Sequence, residues 1–168
     1  MVVGHHAASN GRCAAVKRVL SYWWFKLILV GLGVFLMIQF VPYRVDNPST
    51  RDEPAWDSPR TRELAVAACY SCHSNETKVL PFEKVAPIQW YIANHVKEGR
   101  SALNFSEWHT AAGGEADDSP DAVGDGMPPS YYTYFGLHKE SKLTPAELQE
   151  LIDGLERTIA DDPPSGGG

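Results

Sequence analysis

Cys69-Tyr70-Ser71-Cys72-His73 is the stretch around which any fold of this chain has to be arranged. Two thiols three positions apart, followed at once by an imidazole, match the C-x-x-C-H pattern of covalent haem attachment. At a helix end both sulfurs can reach the two vinyl-derived carbons on one edge of a porphyrin, and the imidazole then projects beneath the iron. Covalent attachment holds the group without a deep pocket, which matters in a domain of only about 100 residues. Competing uses fit less well. A thioredoxin-type redox pair needs a βαβ context, which the flanking sequence lacks. A zinc site needs four protein ligands, and no second cysteine pair follows. A disulfide between Cys69 and Cys72 leaves His73 without a role. The expected cofactor is one haem c, bound through Cys69 and Cys72, with His73 as the proximal iron ligand.

The opposite iron ligand is less sharply specified. Gly126-Met127-Pro128-Pro129 offers a thioether, a soft neutral donor that raises a haem's reduction potential. The prolines stiffen the loop that has to aim it. Met127 is the expected distal ligand. Its bland reading is a gap-filling apolar side chain. His95 is the alternative, and an open position is a third possibility. His109 and His138 are weaker candidates, expected near the surface.

A second feature is a run from Tyr22 to Val41 whose only charge is Lys26. Twenty helical residues span about 30 Å, the thickness of a bilayer's hydrocarbon core. Tyr22, Trp23, Trp24 and Tyr43 suit the two membrane–water boundaries. No small-residue cleavage site follows, so an uncleaved anchor is expected rather than a signal peptide. A core helix would seldom be apolar all round. Residues 1–41 carry four of the 15 Lys and Arg and none of the 21 Asp and Glu, whereas the remainder carries eleven against 21. The positive-inside rule then places the N-terminus in the cytoplasm and the rest outside the cell membrane, a single-pass topology. Outside is also where c-type haem is attached. So acidic a domain is a poor binder of nucleic acid and favours redox partner proteins with a basic docking surface.

The chain reads as a cytoplasmic tail over 1–19, a transmembrane anchor over 20–42, a proline-punctuated linker over 43–57, a haem domain over 58–160 and a disordered tail over 161–168. In the tail, His5 and His6 are incidental and Cys13 is a free thiol. Ser58 and Pro59 open a helix that runs into the cysteines. A second helix runs from about Pro87 to Gly99, with Ile88, Tyr91, Ile92, His95 and Val96 on one face. A short helical piece is expected over Leu103–His109 and an irregular acidic loop over 111–126. Thr144-Pro145-Ala146-Glu147 is a capping box heading a last helix through Leu148, Leu151, Ile152, Leu155 and Ile159. No strand pair emerges, and the aromatics read as core and pocket packing. The fold class is all-α.

The C-x-x-C-H, the later Met-Pro-Pro and the Lys-Leu-Thr-Pro-Ala-Glu-Leu helix start resemble class I cytochromes c. Over residues 56–160 the resemblance narrows to the membrane-anchored haem-binding-domain family of bacterial c-type cytochromes. Its marks are Cys69 to Thr77, Trp90, Asn94 to Arg100, and Leu103-Asn104-Phe105-Ser106-Glu107-Trp108. That resemblance implies an all-α haem domain and keeps His95 in play as a ligand. The glycine-rich acidic stretch 113–126 departs from it, which leaves the choice of partner open.

Taken together these features point to an electron carrier rather than an enzyme, working alone or within a respiratory or photosynthetic complex. The rival is a peroxidase-like haem enzyme or a gas or redox sensor, either of which requires an open sixth iron position.

Overall fold

The computed structural model describes residues 9–165, with side chains from Tyr22 onward. The chain divides after Pro42 into two units. In the first, α1 runs Ser9–Ile38, so the helix begins inside the stretch expected as a tail and stops short of residue 42. The side chains of His5, His6, Arg12, Cys13, Lys17 and Arg18 lie outside the described residues. From Tyr22 to Met37 the large apolar side chains of α1 are exposed on every face, among them Trp24, Ile28 and Val34. Among the described residues no helix is long and apolar enough to cross a membrane.

The second unit is helical, with α2 over Pro59–Ala68, α3 over Tyr70–His73, α4 over Ile88–Ala102, α5 over Ser119–Gly124 and α6 over Pro145–Asp161. Among the described residues there is no strand, only an isolated parallel bridge between Asp52 and Glu107. The two expected caps form. Ser58 Oγ accepts the Thr61 N–H at 3.1 Å, and the Thr144 N–H donates to the Glu147 carboxylate at 2.9 Å. α2 lies across α6, and Gly154 is what allows it, since a Cβ there would run into the Thr61 side chain. Between them Leu64, Ala65, Leu151 and Leu155 are at most 2% exposed. Next to this layer Tyr70, Phe105 and Trp108 stack in a row, with ring centroids 5.7 and 5.8 Å apart.

Three expectations are corrected. Leu103–His109 is not helical, because its N–H groups are claimed elsewhere. Phe105 donates to His73 at 2.8 Å and Trp108 to Asp52 at 2.9 Å, while Ser106 donates to its neighbour Asn104's side chain at 3.0 Å. Residues 111–126 are not an irregular loop. Turns over Ala111–Gly113 and Ala116–Asp118 lead into α5, anchored by buried Ala116 and Val123. Residues 43–57 are extended as expected but lie along the domain rather than free of it. Tyr43 accepts from Gln89 at 2.8 Å, Asn47 pairs with Thr77, and Pro54 is buried.

The C-terminal tail is ordered as far as it is described. Asp162 accepts the indole N–H of Trp108 at 2.9 Å and the Ala55 N–H at 2.7 Å, and Pro164 is buried.

Candidate haem pocket

α2 stops at Cys69, whose N–H completes the helix by donating to Ala65 at 2.8 Å. The chain then starts a single new turn. The N–H groups of Cys72 and His73 both donate to the Cys69 carbonyl, at 3.1 and 2.9 Å. That turn brings both sulfurs and the imidazole to the wall of one cavity of about 440 Å³. The volume is that of a small-molecule site, and the rest of the lining is mainly apolar. α4 contributes Tyr91, Ile92, His95 and Val96, which explains the apolar stripe read in its sequence. Leu103, Phe105, Val123 and Leu155 close the inner side, and Met127, Tyr131 and Tyr132 come from the loop beyond α5.

The imidazole is fixed. His73 Nδ1 lies 3.1 Å from the Leu103 carbonyl, which can only accept, so Nδ1 carries the proton and Nε2 keeps its lone pair. Burial holds the pKa of His73 below the ordinary histidine value, partly opposed by its backbone hydrogen bonds, and so keeps the ring neutral, as a metal ligand must be. Cys69 and Cys72 are half-buried and not joined in a disulfide. Desolvation pushes the Cys69 thiol up to about 12 and, with the charge of Glu83, also raises that of Cys72. Both sulfurs therefore remain protonated thiols. Among the described residues no three His, Cys, Asp or Glu are grouped to hold a bare metal ion. A macrocycle that brings four nitrogens of its own does not need such a group.

The other sequence candidates separate. Met127 lines the cavity and is 48% exposed. His95 lines it as well, with Nδ1 committed to the Tyr91 carbonyl at 3.1 Å and Nε2 left over, the same arrangement as in His73. His109 is half-exposed, bridging Asp52 and Asp162 away from the cavity lining. His138 is not near the surface as expected. It is buried against Glu83 and lines the cavity.

Several residues that hold this wall escaped sequence reasoning. Gly99 lets α4 approach the motif, since a Cβ there would lie 2.7 Å from the Cys72 carbonyl oxygen. Arg100 donates to the Ser74 carbonyl at 2.7 Å, to Asn47 at 2.9 Å and to Thr77 at 3.0 Å, tying the segment after the motif to the extended strap. Their signal was only their place in the Asn94 to Arg100 resemblance. Ser119 Oγ is buried in the lining without a hydrogen-bond partner, so a polar group of a bound molecule has a place to bond. Thiols, neutral imidazole, apolar walls and orphaned hydroxyl together fit a haem.

Comparison with known protein families matches residues 33–157 to the haem-binding domain family. No curated protein and no solved structure matches the chain. The family match takes in the motif and the whole cavity wall, and the chain belongs to the haem-binding domain family.

Proposed function

We propose that this domain carries one haem attached by thioether bonds to Cys69 and Cys72, and passes single electrons on the outer face of a membrane to which α1 anchors it. The observation that supports this most is one turn of chain presenting two thiols and a neutral imidazole, its Nε2 uncommitted, to one apolar cavity. When bound, the haem supplies the one-electron chemistry. The chain's own residues do the rest. His73 ligates through Nε2 while Leu103 holds its ring. Cys69 and Cys72 prevent loss of the group. The Met127 thioether is the proposed second ligand, a soft donor that favours the reduced state. His95 is a second reading for that role, favoured by its uncommitted Nε2.

The apolar all-round exposure of α1 from Tyr22 onward, together with the basic residues before it, supports the anchor and its orientation. Exposed Glu115, Asp117, Asp118, Asp121 and Asp125 precede Met127, which supports a redox partner with a basic surface.

Redox titration of the purified haem-loaded protein tests the reading. A reversible one-electron couple and poor binding of carbon monoxide are expected. Prompt, tight carbon monoxide binding would instead identify an enzyme or sensor with an open iron. Protease added to right-side-out spheroplasts should remove the haem domain. Its protection would overturn the orientation.

A further inference from the structure

Beside the proposed haem attachment the cavity contains an acid–base pair that ligation does not use. The side chains of His138 and Glu83 are 5% and 7% exposed, with Nε2 and Oε1 3.2 Å apart, and both line the cavity. Buried ionisable groups are rare, and this pair is built rather than incidental. Glu83 is held from its other oxygen by the Leu80 N–H at 2.7 Å. His138 sits in the left-handed region, φ 43 and ψ 47, and its ring stacks on Tyr132 with centroids 4.0 Å apart. A carboxylate at Glu83 can only accept, so Nε2–H donates to it, and Nδ1 is the atom free to gain or lose a proton. Nδ1 faces the Glu140 carboxylate at 3.9 Å, and Glu140 is 58% exposed, which gives the proton a route to water. The groups around the ring are thus Glu83 from the Pro81–Lys84 turn, Tyr132 from Ser130–Gly136 and Glu140 from Lys139–Ser141. Cys72 and Lys78 also line the cavity.

We propose that His138 is a proton-uptake site coupled to electron uptake by the domain: as the bound haem accepts one electron from a one-electron donor protein, His138 Nδ1 binds one proton from water. The proposal rests on the haem reading above. One N–H bond forms, no other bond of the chain breaks, and the added electron and proton leave the charge of the cavity unchanged. The physical cause is weak screening. A unit change of charge inside an apolar cavity is felt by ionisable groups in its wall, and the coupling is reciprocal. Losing positive charge at the iron raises the proton affinity of His138, and a proton on His138 favours the reduced state. The reduction potential therefore falls as pH rises between the two affinities of His138. The slope there approaches a tenfold change in the equilibrium per pH unit, 59 mV for one electron.

The test is the midpoint potential of the haem-loaded protein across pH, with proton uptake on photoreduction followed by an indicator dye. The wild type should take up a proton and show the slope. His138→Asn keeps a residue that tolerates the left-handed backbone but cannot bind the proton, and it should flatten the profile. Glu83→Gln removes the anion that favours protonated His138 and should move the sloping region to lower pH. The proposal is overturned if the slope survives unchanged in His138→Asn, or if Glu83→Gln leaves the sloping region in place. A reversible couple without proton uptake overturns this inference and leaves the carrier function standing. Absence of any reversible couple overturns both.

Discussion

Gly99 stands so close to Cys72 that a single added carbon would lie 2.7 Å from the Cys72 carbonyl oxygen. α4 can press on the attachment turn only because no side chain intervenes, and α4 is also the element that brings Tyr91, Ile92 and His95 to the pocket. Gly99→Ala should therefore cost about 1–3 kcal/mol, the range for overpacking a close contact. Denaturant midpoints of the haem-loaded protein measure it, and Gly99→Val should cost more. An unchanged midpoint would mean that α4 is free to move away from the motif.

His109 closes the domain between its two ends. Its Nδ1 lies 2.8 Å from Asp52 on the extended strap and its Nε2 3.0 Å from Asp162 after α6. Hydrogen bonds to Asp162 and Asp52 raise the His109 pKa, and the same bonds hold both carboxylates below their ordinary value. For the raised imidazole, the stabilisation is complete below the ordinary histidine value of 6.5 and is lost as pH rises through the raised value. For the carboxylates it is complete above 3.8 and is lost as pH falls through the depressed values. The clasp is thus strongest between those limits. The stability difference between wild type and His109→Asn, taken from denaturant melts, should be largest there and shrink at higher pH. A difference independent of pH would show that His109 acts by packing alone.

The helices that depend on local chemistry were legible in the sequence. Ser58-Pro59 and Thr144 to Glu147 carry their caps within four residues, and the structure forms both. The face of α4 was readable in part: Tyr91, Ile92, His95 and Val96 line the pocket, whereas Ile88 is exposed and outside its lining. What sequence could not supply was partnership across long separations. The Leu103–His109 segment has a helix-compatible pattern, but Asp52 and His73 take its backbone donors. The 111–126 stretch looked irregular because its polar surface outnumbers the two apolar anchors, Ala116 and Val123, that fold it onto the domain. His138 was expected near the surface because its burial depends on Glu83, far away in the chain. Residues 43–57 looked like a linker because polar side chains such as Asn47 give no hint that Thr77 and Arg100 await them.

Met127 and His95 both reach the pocket, and spectroscopy separates them. With Met127 as ligand, the oxidised protein should show a sulfur–iron charge-transfer band in the far red. Met127→Ala should abolish the band, lower the reduction potential and admit carbon monoxide, because a soft neutral donor has been lost. His95→Ala should do none of these. The converse pattern would establish ligation by two histidines.

Covalent attachment of haem to Cys69 and Cys72, as proposed, is read out by denaturation. The chain is produced in a host that attaches c-type haem, unfolded in detergent, and analysed by intact mass and haem-stained electrophoresis. The wild type should keep one haem on the unfolded polypeptide, whereas Cys69→Ala combined with Cys72→Ala should keep none. Haem that leaves the denatured wild type, or that stays on the double variant, would contradict it.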